Sequence, residues 1–594
     1  MADDTMARDT MARDTGTAES RRLPDHPSGS IRLENVSFLY GGGSNPGGRD
    51  PEDRNGTDGN ADERKADARN AGARGMAANG SGAADTRTAS PGAIEADARA
   101  SDASQPQGVA DLSLDVRPGE TLLLCGRSGC GKTTVTRLIN GLVPHYFRGR
   151  LSGRVLVDGF NVTTTPLENL VGHVGSVFQN PANQFFTMTV RDELAFACEN
   201  AGMPPERIRR RMEQVAGAFG VDGLLDSGVD RLSGGQQQQV ASAAAAMARP
   251  GILVLDEPTA NLDASAIDRL RGIIALWRDE GRTVVIAEHR LYWLEGLVDR
   301  AAIMDSGRIT QVMSGRELGA LTDEEREGLG LRPTTRSGLE RVVRQAGSGV
   351  RGPRNESSGA WRIDGFSYTY RRAKEPALAI EGAAFPAGRV TVVTGPNGAG
   401  KSTFIRCLQG LDRRCRGELV APDGERLGRR RRLDACFTVL QNVTRELFTA
   451  DVLDEVMLAQ PHEDASEAGA ILARLDLAGM AGRHPLSLSG GQRQRVAIAA
   501  AVASERPIII ADEPTSGLDL GHMRQVAALL RGLADEGRTV VVVTHDPEFA
   551  ALCADRTLRI IRGRIVRVQE PDGVSEAMED SAVANAPDSR EWTR

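Results

Sequence analysis

Two runs of residues, 269 positions apart, have the composition of a phosphate cradle: Gly126-Arg127-Ser128-Gly129-Cys130-Gly131-Lys132-Thr133-Thr134 returns as Gly395-Pro396-Asn397-Gly398-Ala399-Gly400-Lys401-Ser402-Thr403. In a G-x-x-x-x-G-K-[ST] loop between a strand and a helix, successive backbone N–H groups face phosphate oxygens, and the glycines permit an approach that side chains would block. Lys132 and Lys401 are then placed to meet terminal phosphates. Thr133 and Ser402 can offer a hydroxyl to magnesium, helped by Asp256 and Asp512 at the ends of apolar strands. Glu257 and Glu513 follow those aspartates, where a carboxylate can take a proton from a water attacking the terminal phosphate. His289 and His545, each 33 residues after the aspartate, stand at the end of the next strand, within reach of both phosphate and glutamate. A further run, Leu232-Ser233-Gly234-Gly235-Gln236, returns as Leu488-Ser489-Gly490-Gly491-Gln492. It offers a hydroxyl and N–H groups at a positive helix end, a second anion-binding element.

The elements that position these residues read as short apolar strands alternating with helices, an α/β pattern with a mostly parallel sheet. Buried strands are expected at 121–125, 252–255 and 284–287, and again at 390–393, 508–511 and 540–543. The motifs sit at their carboxyl ends, where open α/β sheets bind ligands. From Leu232 to His289 the second copy follows at a constant offset of 256, so the chain is one domain written twice. Ahead of the glycine loops, Ile31–Tyr40 matches Trp361–Tyr370, which leaves 61 extra residues in the first copy. Between Gly41 and Gln107 the large apolar residues are Met76 and Ile94 alone, too few to offset the entropy of ordering the segment. The expected organisation is a disordered tail (1–28), a first domain (29–312) with a disordered insert (41–108), a partly helical connector (313–359), a second domain (360–568) and a disordered acidic tail (569–594).

Composition narrows the classes. The 594 residues carry 73 Lys and Arg against 80 Asp and Glu, a net charge of -7, without the basic excess of a nucleic-acid binder. No uninterrupted apolar run reaches 18 residues, so no membrane span is expected and a membrane, if involved, must come with a partner. The amino terminus has no apolar core for a secretory signal, which points to the cytoplasm. Seven scattered cysteines form no C-x-x-C pair, and any metal should arrive with a ligand.

The ordered set of an aromatic (Tyr40, Tyr370), the glycine loop, Gln179 or Gln441, L-S-G-G-Q, D-E-P-T, N-L-D or G-L-D, and the histidine resembles the ATP-binding cassette (ABC) ATPases over about 30–312 and 360–568. The resemblance implies two tandem P-loop NTPase domains, each with a mostly parallel core, an antiparallel β subdomain and a helical subdomain. It further implies an intramolecular pseudo-dimer that binds two ATP head to tail, with Mg2+, so that Lys132 faces Ser489 and Lys401 faces Ser233. Tyr40 and Tyr370 would stack on adenine, although a strand-packing role fits them equally. Gln179 and Gln441 would touch magnesium or water and signal to a transport partner, and Asp263 and Asp519 would join the two sites.

Within that superfamily the first copy is similar to the ATPases of energy-coupling-factor importers for vitamins and metal ions. The residues that carry this are Gly141-Leu142-Val143-Pro144-His145-Tyr146-Phe147, Gln179-Asn180-Pro181-Ala182-Asn183-Gln184-Phe185-Phe186, Asp192-Glu193-Leu194-Ala195-Phe196 and Ala287-Glu288-His289-Arg290. The similarity implies a transmembrane scaffold protein and a substrate-capturing membrane protein as partners, at the cytoplasmic face of the cell membrane, with no nucleic acid expected. The alternative is a soluble tandem protein of the same superfamily acting on ribosomes or in DNA repair, which usually has a long charged linker, a metal insertion or a basic face. Two departures stand out. Gln237-Gln238-Gln239 replaces Arg493-Gln494-Arg495, which predicts a weaker site where Lys401 meets Ser233, if the arginine at 495 braces the signature loop or the nucleotide. Val443-Thr444-Arg445 replaces Pro181-Ala182-Asn183, which predicts a different partner groove.

Overall fold

The computed structural model describes residues 29–40, 108–260, 262–348, 359–371, 373–441, 443–488 and 490–569. The expectations for both tails, the insert and Ser489 therefore lie outside the described residues, with two boundary exceptions. Gly108 opens the strand Gly108–Val116 and Gln569 closes the strand Arg564–Gln569, so each of those boundaries shifts by one residue.

In the first half six strands run in the order Arg308–Ser314, Arg300–Asp305, Thr121–Gly126, Thr283–Ala287, Ile252–Asp256 and Val174–Val177. All neighbours are parallel except the hairpin that joins the first two. The second half repeats this with Cys436–Val439, Ile508–Asp512, Thr539–Val543, Val390–Thr394, Arg556–Ile561 and Arg564–Gln569, again with one antiparallel hairpin. The central strands are continuous apolar runs because helices cover both faces: Leu122, Leu123 and Leu124, and likewise Val540, Val541, Val542 and Val543, are wholly buried.

Each half also has a four-stranded antiparallel sheet, Gly108–Val116, Ile31–Tyr40, Gly149–Val157 and Phe160–Asn161 in the first. Its counterpart is Leu378–Pro386, Ala360–Tyr368, Arg416–Val420 and Arg426–Leu427. Leu39 pairs with Gly108 in one copy and Tyr368 with Leu378 in the other, so the two strand ends are adjacent whatever length of chain joins them. A helical layer completes each half. In the first, Val190–Asn200, Pro205–Phe219 and Gly234–Met247 pack through Leu194, Met212, Phe219 and Val240. Among the described residues no helix is long and apolar enough to cross a membrane.

The described part of the connector contains the helices Gly315–Ala320, Asp323–Gly328 and Arg336–Ser348. Ser314 with Glu317 and Thr322 with Glu325 form reciprocal capping boxes at the first two. Such caps contribute about 1 kcal/mol each, enough to set short helices that propensity alone would not hold. Leu318 and Leu331 join the first half's core, whereas Leu339 and Val343 pack against Ala551 of the second half and Tyr292 of the first. The connector is thus a packed element touching both halves.

Candidate functional site

Both glycine loops follow a central strand and open a helix, Lys132–Ile139 or Lys401–Gln409. Gly126 and Gly395 have φ of +139° and +148°, and a Cβ there would fall 2.0 Å and 2.1 Å from the carbonyl oxygens of Met304 and Ile560. Only glycine fits. Gly131 and Gly400 cap the helices in left-handed geometry, Gly129 and Gly398 are left-handed as well, and Thr134 and Thr403 lie buried in the first helical turns. Lys132 Nζ donates to the carbonyls of Gly126 (3.3 Å) and Arg127 (3.2 Å) and lies 3.0 Å from His289 Nε2. Lys401 Nζ donates to Gly395 (2.8 Å) and Pro396 (3.0 Å).

Asp256 ends its strand and accepts from the Thr133 hydroxyl at 3.1 Å. Burial pushes its carboxyl up, and that hydroxyl partly offsets the effect. Asp512 is pushed up to about 6 by burial against the pull of Lys401. The next residues leave the strand in a left-handed conformation, Glu257 at φ 43° and Glu513 at φ 47°. Non-glycine residues in that region mark sites where the surroundings over-determine the backbone. Burial lifts Glu257 to about 8 and Glu513 to about 7. His289 Nε2 is 3.5 Å from Glu257 Oε1, and His545 Nε2 stands at the same 3.5 Å from Glu513 Oε1. Burial first, then Lys132 or Lys401, holds both imidazoles neutral, His545 at about 3. Gln179 Nε2 donates to Glu257 Oε2 at 2.7 Å.

The halves meet head to tail. Asp263 accepts from the Asn397 N–H of the opposite loop at 2.8 Å, and Asp519 accepts from Ser128 N–H at 2.7 Å while its own N–H donates to Ser128 Oγ at 3.2 Å. Ser233 caps the helix Gly234–Met247 in a box with Gln236, whose Oε1 accepts from Ser233 N–H at 2.9 Å. Gly235 approaches Asn397: a Cβ on it would lie 3.7 Å from Asn397 Nδ2. Gly234 and Gln237 of the first half, with Tyr370, Ser402, Gln441 and Arg562 of the second, line a cavity of about 680 Å3 around Lys401, Asp512, Glu513 and His545. Gly490, Gly491 and Gln492 open the corresponding helix Gly490–Ala503.

Tyr40 and Tyr370 take parallel places. The Tyr40 hydroxyl lies 3.3 Å from Thr134 Oγ1 and accepts from Arg137, and the Tyr370 hydroxyl lies 2.7 Å from Thr403 Oγ1 and accepts from Arg406. Each ring packs edge-on against the aromatic two residues before it, Phe38 or Tyr368, and Tyr370 also lines the cavity.

The expectation drawn from Gln239 and Arg495 is corrected. Arg495 Nη1 donates to the Leu475 carbonyl at 3.1 Å, and Gln239 Nε2 donates to the equivalent Phe219 carbonyl at 3.3 Å. Both side chains tie the signature helix to its own helical layer, so the substitution leaves the nucleotide side untouched. The residue of that run that does line the cavity is Gln237. Sequence reasoning also passed over Gly517, where a Cβ would fall 2.7 Å from Glu257 Oε2 of the other half. Its signal was the exchange of Asn261 for Gly517 at matched positions.

Twin glycine loops with acidic strand ends, each gripped by an aspartate of the opposite half, define a tandem P-loop nucleotide-binding protein. The sequence pattern of the ABC transporter family matches residues 109–260 and 382–516. A Treponema denticola protein assigned as an ABC transporter ATP-binding protein is 36% identical over 464 residues, covering 78% of this chain and 94% of its own. A Methanosarcina acetivorans protein with the same assignment is 33% identical over 511 residues, covering 78% and 83%. The chain belongs to the ABC transporter ATP-binding family and is an ATP-hydrolysing enzyme. Among solved structures, an archaeal ribosome recycling factor bound to the ribosomal stalk protein aP1 superposes with a TM-score of 0.53 at 23% identity, covering 80% of this chain and 90% of that one. ABCE1 from a ribosome-bound archaeal complex with Pelota gives 0.57 at 21%, covering 80% and 78%. At such identities the likeness is one of fold.

Proposed function

We propose that this ATPase energises a membrane importer of the energy-coupling-factor kind, for a vitamin or a metal ion, from the cytoplasmic face of the membrane. The observation that carries the reading is a pair of apolar surfaces beside the two glutamine loops. Phe186 (76% exposed) and Met188 (78%) stand out next to the Gln179 loop, with Phe186 stacked on Phe196 at 5.3 Å. Phe448 (77%) and Leu458 (62%) stand out next to the Gln441 loop. Grouped exposed apolar side chains mark surfaces that another protein covers, and Gln179 links the first of them to Glu257.

In this reading each ATP lies between one glycine loop and the opposite signature helix. Backbone N–H groups of the loop and Lys132 or Lys401 hold the phosphates, and Ser233 with Gly234 and Gly235, or Ser489 with Gly490 and Gly491, close from the far side. Tyr40 and Tyr370 flank the base. Thr133, Asp256 and Gln179, or Ser402, Asp512 and Gln441, offer the all-oxygen donors that suit Mg2+, and the 3.1 Å Thr133–Asp256 contact already groups two of them. When bound, that ion neutralises phosphate charge. Glu257 and Glu513, made more basic by burial, can in their ionised form take the proton of the attacking water, with His289 and His545 standing 3.5 Å away.

The test is co-purification of the tagged chain with membranes. A multi-span scaffold protein and a small membrane protein should accompany it, and Phe186→Asp with Phe448→Asp should release them while basal ATP hydrolysis persists. Co-purification with ribosomes instead would overturn the importer reading.

A further inference from the structure

Asp546 follows His545 as Arg290 follows His289, at the constant offset of 256, so matched positions of the duplicated sequence carry opposite charges. In the structure they meet, Arg290 Nη2 lying 3.4 Å from Asp546 Oδ2. A third member comes from the connector. Arg332, between the helices Asp323–Gly328 and Arg336–Ser348, places Nη2 2.5 Å from the same Oδ2 and Nε 2.8 Å from Glu548 Oε2. All four side chains are buried. Burial alone would raise the Asp546 carboxyl, but Arg332 and Arg290 outweigh it and hold the group well below its ordinary range.

This cluster reaches the chemistry. The other Asp546 oxygen accepts from the N–H groups of Glu548 (3.1 Å) and Phe549 (3.4 Å), capping the helix Pro547–Cys553. Asp546 N–H donates to Thr544 Oγ1 at 3.0 Å, and Thr544 Oγ1 and His545 N–H each donate to Glu513 Oε2 at 3.2 Å. An unbroken path thus runs from the connector to Glu513. The first half holds the matching loop with Glu288 of its own, which accepts from Thr259 and from the N–H groups of His289 and Arg290. The fold therefore does not require four buried charges at this place, and burying them is costly unless every one is paired.

We propose that Arg332, together with Arg290, is a positioning residue for the second catalytic centre: by clamping Asp546 it holds the 544–546 loop so that His545 and Glu513 are aimed into the Lys401 cavity. The inference rests on reading Glu513 as the base of that cavity.

The experiment uses the full chain and compares Arg332→Met, Arg332→Lys, Asp546→Asn, the double variant Arg332→Met with Asp546→Asn, and Glu513→Gln, with melting temperature measured for each. At a temperature well below melting, Arg332→Met should lower kcat about tenfold while KM for ATP stays within about twofold, because a displaced catalytic loop costs rate more than binding. Arg332→Lys should recover part of the rate. The double variant should be no slower than Asp546→Asn alone, since both changes break one link. An unchanged kcat with only a lower melting temperature, or losses that multiply in the double variant, would overturn the clamp. If Glu513→Gln keeps full turnover, the assignment of Glu513 fails, a result distinct from failure of the clamp.

Discussion

The two halves keep the same glutamate-to-histidine distance of 3.5 Å and anchor the histidine loop by different means. In the first half the anchor is local: Glu288 accepts from Thr259 Oγ1 at 2.7 Å and from His289 N–H at 2.7 Å, while Lys132 reaches His289. In the second, threonine replaces that glutamate, Glu513 itself receives the loop's donors, and the remaining restraint comes from Arg290 and the connector. The first histidine loop has Glu288 of its own besides the Arg290–Asp546 pair, whereas the second relies on that pair and on the connector, so duplicated motifs with the same glutamate-to-histidine distance can still answer differently to distant changes.

The largest expected effect tests what the halves share. Glu257→Gln and Glu513→Gln together should keep ATP binding and lower turnover about 100- to 10,000-fold, the usual cost of losing a positioned base. The protein should accumulate in an ATP-bound closed form, which filter binding and steady-state hydrolysis can check. Wild-type-like hydrolysis would remove both centres from the comparison.

Next comes the contact that crosses between halves. Gly517→Ala places a Cβ 2.7 Å from Glu257 Oε2 and 3.0 Å from Gln179 Nε2, at a φ of +71° that side chains rarely adopt. It should lower kcat about tenfold with little change in ATP affinity. Retention of full kcat would mean that the first centre tolerates displacement of its glutamate.

A smaller effect separates two positions of the first signature helix. Gln237→Arg adds a charged donor to the wall of the Lys401 cavity and should change KM for ATP about three- to fivefold, as a charge-assisted hydrogen bond of about 1 kcal/mol would. Gln239→Arg should leave KM and kcat within about twofold, because that side chain only meets the Phe219 carbonyl. Equal responses at the two positions would dissolve the distinction.

The smallest effect is expected from deleting residues 44–104. The strand ends at Leu39 and Gly108 are adjacent, as in the second half, where a short link suffices. Loop length costs only about 0.6 kcal/mol per doubling, so melting temperature and hydrolysis should hardly move. A shift of many degrees would show that the insert packs or docks.

Much of each centre was legible in the chain. Gly126, Lys132, Asp256, Glu257 and His289 lie beside short apolar runs, and a parallel sheet buried on both faces places the carboxyl ends of such runs side by side. Backbone constraints of this kind act over a few residues, so the order and spacing of the motifs carry them, and the duplication shows them twice. What Arg495 touches was a different matter: its position one helical turn past L-S-G-G-Q is visible, but which way the side chain turns is set by the helical layer around it.

Among the contacts between halves, the motif resemblance already had Asp263 joining the two sites, and Asp263 does grip Asn397. That Gly517 lies against Glu257 and that Arg332 clamps Asp546 across 214 residues of chain belongs wholly to tertiary structure, and no local pattern announces these meetings. They arise when two sheets dock head to tail and a capped connector packs between them, bringing together groups whose separation along the chain carries no periodicity. Sequence alone determined which residues carry the phosphate-loop, strand-end and signature motifs; docking decided which half restrains which glutamate, because a buried charge is stable only where its partner is delivered, and that partner comes from the other end of the chain.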